Sequence, residues 1–72
     1  MTYPNNFTRN LFAEKALDAY AEITYMESED RETVFSDLLT DMLHYCRQQN
    51  IRFDLMYERA RNHYNEEIKY DD

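Results

Sequence analysis

The chain of 72 residues contains no glycine and no tryptophan, and it has one proline, Pro4, and one cysteine, Cys46. Without glycine, no residue takes positive φ free of steric cost, and with proline confined to position 4 nothing downstream carries strong helix-breaking or tight-hairpin chemistry. That leaves helices. A lone cysteine forms no internal disulfide, and no Cys/His grouping has structural-zinc spacing. Cys46 falls on the apolar face of an expected helix, where a small buried thiol is the ordinary reading. The first residues are polar (Thr2, Asn5, Asn6) rather than basic and then apolar, and the apolar runs are too short to span a bilayer. The expectation is a soluble protein of a reducing cytoplasm with no membrane partner.

What is present points to a folded domain. Apolar residues make up 43% of the chain, with seven Tyr and four Phe, which is too much buriable surface for an acidic disordered tail. Residues 1–72 are read as a single helical domain. A domain of this size buries only a modest share of its surface, so oligomerisation is the expected supplement.

Three amphipathic helices are expected, over about residues 8–26, 31–49 and 55–69. The first starts near Phe7 to Asn10 with Asn6 or Thr8 as N-cap, and Phe12, Ala16, Ala19, Tyr20, Ile23 and Met26 form its apolar stripe. The polar stretch Glu27-Ser28-Glu29-Asp30 interrupts that period, and Ser28 or Asp30 is suited to cap the second helix. There the core stripe reads Phe35, Leu38, Leu39, Met42, Leu43 and Cys46, with Val34 and Tyr45 at its margins. Asn50 suits the left-handed residue after a helix, with Ile51 folding back as the accompanying apolar contact. Asp54 is placed as the N-cap of the third helix, which carries Leu55, Met56, Ala60, Tyr64 and Ile68 and frays through Lys69-Tyr70-Asp71-Asp72. The fold class is therefore all-α: either a small three-helix bundle, or a helical hairpin completed by homodimerisation through the long second helix.

Charge is unevenly spread. Residues 1–41 hold nine acids and three bases, whereas residues 42–72 hold six and five, so nearly all of the net charge of -7 lies in the first part. Glu14, Asp18 and Glu22 recur every fourth residue, a rise of roughly 6 Å between carboxylates, which resembles a row of backbone phosphates and can occupy the Lys/Arg groove of a nucleic-acid-binding protein. The plainer reading is a solvated helix face. Asp37, Asp41 and His44 share the side of the second helix opposite its stripe. They can ligate a divalent ion, but an exposed polar face or an intersubunit ion-pair site is the preferred reading, and no metal or cofactor is expected. Tyr57, Arg59, Arg61, His63 and Tyr64 interleave bases with aromatics. Glu58, Glu66 and Glu67 interrupt that run, so direct nucleic-acid binding is not expected and a protein interface suits these residues better.

Phe35-Ser36-Asp37-Leu38-Leu39-Thr40-Asp41-Met42-Leu43-His44-Tyr45, followed by Ile51-Arg52-Phe53-Asp54 and Glu58-Arg59-Ala60-Arg61-Asn62-His63-Tyr64, resembles a family of short uncharacterised proteins of bacteriophages and mobile elements. The resemblance covers roughly the last half of the chain and implies a helical hairpin. By size and charge the chain is also similar to inhibitors of bacterial defence such as anti-CRISPR proteins, several of which imitate DNA or block its channel. The same segment resembles the later helices of MazG-type nucleotide pyrophosphatases, with Asp37 at the last acid of their Glu-x-x-Glu and Glu-x-x-Asp metal motifs. This sequence departs from that pattern. Val34 stands where the second motif needs Glu, the first helix spaces its acids by four, and Glu29-x-x-Glu32 precedes the second helix instead of lying on a separate one.

The sequence thus leads to a non-enzymatic acidic protein of the host-cell cytoplasm, acting as an anti-CRISPR-like inhibitor of a bacterial nucleic-acid-handling defence system. Its partner would be a basic nucleic-acid-binding protein or complex, met by Glu14, Asp18, Glu22, Glu27, Glu29, Asp30, Asp37 and Asp41. The alternatives are a degenerate MazG-like pyrophosphatase and a structural module that receives a partner helix.

Overall fold

The computed structural model describes residues 5–69. The expected fraying through Tyr70, Asp71 and Asp72 falls outside them. Among the described residues there are three helices and no strand: α1 (Asn6–Ile23), α2 (Arg31–Gln49) and α3 (Phe53–Ile68).

Short polar side chains set the helix starts. Asn5 caps α1, its Oδ1 accepting from the Thr8 amide at 2.8 Å, so the cap lies just before the positions expected from sequence, Asn6 and Thr8. Asp30 caps α2 as expected, accepting from the Thr33 amide at 2.8 Å. Those bonds satisfy amides that the first helical turn leaves without an internal partner. Asp54 is not a cap. The N-cap of α3 is Arg52, which makes no side-chain capping bond, and Asp54 lies inside the first turn, ion-paired to Arg52 at 2.7 Å.

The helix ends show how a chain without glycine still turns left-handed. Tyr25 and Asn50 both have φ of 59°. At the end of α1 the Met26 amide donates back to the Ala21 carbonyl at 2.7 Å and the Tyr25 amide to Glu22 at 3.4 Å. After α2 the Ile51 amide reaches Cys46 at 2.9 Å and the Asn50 amide reaches Arg47 at 3.5 Å. Both are Schellman ends, which use the carbonyls a helix terminus would otherwise leave open. The second matches the expectation for Asn50. The first ends α1 at Ile23 rather than Met26, because Met26 is the residue that folds back, and the motif returns its side chain to the helix's own apolar side.

Packing is concentrated where α1 meets α2. Leu17, Ala21 and Val34 form the buried cluster, with Tyr20, Met26 and Leu38 packed against it. The expected α1 stripe is thereby corrected: Phe12 is 54% and Ile23 76% exposed, and Ala16 and Ala19 are exposed as well. α1 carries apolar residues on more than one side, so periodicity alone does not choose among them; contact with Val34 does. On α2 the order also changes. Val34, expected at the margin, is the most buried residue at 2%, while Phe35 and Leu43 are each 50% exposed. Cys46 is buried and is a free thiol, as expected.

No residue of α3 is buried. Its far end returns to the start of α1, where Asn6 Nδ2 donates to the Glu67 carbonyl at 3.3 Å and Arg9 lies 3.4 Å from the Glu67 carboxylate. The result is an open arrangement. Its radius of gyration of 14.2 Å exceeds the roughly 11 Å of a compact domain of this length. No helix among the described residues is long and apolar enough to cross a membrane.

Candidate functional site

All eight acids singled out from the sequence are exposed. The α1–α2 seam divides them. With about 100° of turn per residue, Asp18 and Tyr20 leave α1 on opposite sides of the Leu17/Ala21 stripe. On one side, the Asp18 carboxylate pairs with Arg31 of α2 at 2.8 Å. On the other, the Tyr20 hydroxyl donates to Asp41 at 2.5 Å. The Glu14-Asp18-Glu22 row therefore lies on the Arg31 side, and Asp41 on the Tyr20 side.

On the Arg31 side the chain forms an open concavity of about 600 Å³ in the corner between α1 and α2. Asp18, Glu22, Glu27 and Glu29 line it together with Arg31, and Ala21, Met26 and Val34 supply its apolar part. The corner exists because the Schellman end turns the chain back at Tyr25 and Asp30 restarts the helix five residues later. Four carboxylates face one guanidinium there, leaving an excess of negative charge beside a small apolar surface. A lysine or arginine side chain has the complementary build, an apolar stem with a cationic head.

The remaining acids have other surroundings. Asp30 is engaged in its cap, and the hydrogen bonds from Thr33 hold its carboxyl below the usual carboxylate range. Asp54 is lowered chiefly by the side-chain hydrogen bond from Arg52. Asp41, bonded to Tyr20, pushes that phenol up to about 12 from 10.0, the hydrogen bond contributing most and burial and the negative charges of Asp41 and Asp37 adding to it. Among the described residues no three of His, Cys, Asp and Glu converge on a point that could hold a metal ion, Asp37, Asp41 and His44 included.

Two residues that matter here were not among the candidate site residues, although Tyr20 was placed in the apolar stripe of α1. Arg31 and Tyr20 act across helices, 13 and 21 positions from their partners. No i,i+4 spacing announces such pairs. In the Tyr/Arg-rich part of α3, the Arg61 guanidinium stands 5.7 Å from the centre of the Tyr64 ring, a cation–π geometry that keeps this pair within its own helix.

Comparison with protein-family models, curated proteins and solved structures returns no match for this chain.

Proposed function

We propose that the protein is a non-enzymatic binding protein that presents the α1–α2 corner to a basic, nucleic-acid-binding groove of a bacterial defence complex and competes there with nucleic acid. The observation that carries this reading is the gathering of Asp18, Glu22, Glu27 and Glu29 around one open concavity. Glu14 extends the row along α1, so a second carboxylate-bearing turn lies next to the corner. Asp37 and Asp41 belong to the other side of the seam and flank the contact rather than share it, and Asp30 contributes through its cap. The analogy of small size and acidic charge to anti-CRISPR inhibitors is what directs the proposal to the host's nucleic-acid defence.

Competition between an acidic surface and DNA is electrostatic at long range, steering encounter and weakening as salt screens exposed charge. The test is displacement of labelled double-stranded DNA from purified RNA-guided effector complexes. The protein is expected to displace DNA at low ionic strength and to lose potency as salt is raised. The Glu14→Lys, Glu22→Lys, Glu27→Lys, Glu29→Lys variant is expected to lose displacement altogether while its circular dichroism stays helical. Displacement that survives all four reversals overturns the reading.

A further inference from the structure

Arg31 is the one part of the α1–α2 corner whose charge opposes the rest. Among the described residues it is the one cation lining the concavity that Asp18, Glu22, Glu27 and Glu29 share. Its guanidinium donates to the Asp18 carboxylate at 2.8 Å. Arg31 also lines a second concavity of about 320 Å³ on the same side of the seam, together with Glu14, Leu17 and Phe35. Glu14 and Asp18 are one turn apart on α1, so the Arg31–Asp18 pair lies where the two concavities meet.

We propose that Arg31 is an internal competitor for the partner: in the free protein it holds Asp18, and a lysine or arginine side chain of the partner displaces it there. Arg31 has this role only if the corner is the binding surface, as proposed above.

The position of Arg31 is the first support. It opens α2, directly after the Asp30 cap. A cation there faces the positive end of the helix macrodipole, so helix stability does not account for it. The bond to a carboxylate 13 positions away, on another helix, does.

The second support is that the pair is releasable. Its side chains are 51% and 60% exposed, and an exposed ion pair is weak and screened by salt. A buried pair would be a strut, strongly destabilising when one member is lost. This one can be exchanged without cost to the core.

The third is chemical identity. The guanidinium on Asp18 makes the bond that a partner's arginine would make, with the charge assistance such a bond carries. While Arg31 stays, an arriving cation meets like charge and a carboxylate already engaged. Exchange frees Asp18 and joins the acidic concavity to the one beside Glu14 and the half-exposed Phe35.

Anisotropy of a labelled oligo-arginine peptide, titrated with the full chain at physiological ionic strength, tests this. Arg31→Ala is expected to bind roughly three- to sixfold more tightly than the unmodified chain, the factor an exposed ion pair can withhold. Arg31→Gln, which keeps much of the stem and drops the charge, should show the same gain. Arg31→Lys, which keeps a cation at the position, should stay within about twofold. So should Arg47→Ala, which makes the same change in net charge about 24 Å further along α2, well beyond the roughly 8 Å screening length. If neither Arg31→Ala nor Arg31→Gln binds more tightly, the internal competitor is overturned; the corner itself then stands or falls with the four charge reversals above, which should abolish peptide binding. An equal gain from Arg47→Ala assigns the effect to net charge, and an equal gain from Arg31→Lys assigns it to the shape of the guanidinium. Either overturns the proposal. No binding by the unmodified chain or by any Arg31 variant removes the corner as a receiver of cations, and the role of Arg31 with it.

Discussion

The α1–α2 corner and α3 are built from similar material and end up in different states. Both have apolar residues at helical spacing and both have arginines and acids within reach. In the corner, Leu17 and Ala21 meet Val34, the Asp18–Arg31 and Tyr20–Asp41 pairs span the seam on its two sides, and Met26 is turned back onto the cluster by a Schellman end. Along α3 no side chain is buried, and the helix is held at its far end by Asn6 and Arg9. Helical periodicity is thus the same signal in a helix with buried residues and in one with none. The difference lies in which helix supplies a complementary surface, and that is a tertiary property.

Removing packing should separate the two regions most. Leu17→Ala is expected to cost about 2–5 kcal/mol in urea unfolding, a large part of the stability of so small a domain. Leu55→Ala, on the outward side of α3, should cost less than about 1 kcal/mol. Both measurements belong at one protein concentration, because association adds to apparent stability. Equal costs would erase the distinction between a packed corner and an unpacked third helix.

A smaller gain is expected at the turn that makes the corner. Tyr25 is 90% exposed and sits at φ of 59°, where a side chain is disfavoured. Tyr25→Gly should therefore stabilise by about 0.5–1 kcal/mol, seen as a higher urea midpoint. A loss of stability would mean that the ring makes contacts the corner needs.

Ion pairing should matter least. Arg31→Ala removes a pair whose two side chains are both more than half exposed, and a change below about 1 kcal/mol is expected. The Tyr20–Asp41 bond gives a sharper signal through pH than through stability. The folded phenol is raised from 10.0 to about 12, so the contribution of this bond is fully present below pH 10 and is lost as pH climbs through 12. Followed by phenolate absorbance, one tyrosine should titrate late. Asp41→Asn should return it towards the ordinary range, and an unchanged curve would remove the bond as the cause.

Much of the fold was legible because it rests on local chemistry. The absence of glycine, the absence of proline after Pro4, the Asp30 cap, the Asn50 turn and the buried Cys46 are each written within a few residues of where they act. Three helices follow from them. The side of α1 that packs was not legible, since Phe12, Ile23 and Leu17 offer rival stripes and Val34 decides between them from another helix. Asp54 was misplaced for a similar reason. A carboxylate near a helix start is read as a cap, yet here it pairs with Arg52 one position after the helix begins.

Of the candidate site, the exposed acids were legible as charge but not as geometry. Spacing by four gives the Glu14-Asp18-Glu22 row. It does not reveal that Glu27 and Glu29 come round to the same concavity, because that depends on the left-handed turn at Tyr25, a residue type that seldom takes that conformation. Nor does it reveal that Asp41 lies across the seam, bonded to Tyr20.

The contact between Asn6 and Glu67 means that the chain travels out through three helices and comes back to where it set off. Its order along the sequence is then only one of several that could produce the same object. Joining the two ends through a short linker and opening the chain within Glu27–Glu29, or between Ile51 and Arg52, would leave all three helices uncut. The first cut would test whether the acidic corner needs a continuous backbone, the second whether α3 needs its connection to α2, and a permuted gene would ask both questions without changing a single side chain of α1, α2 or α3.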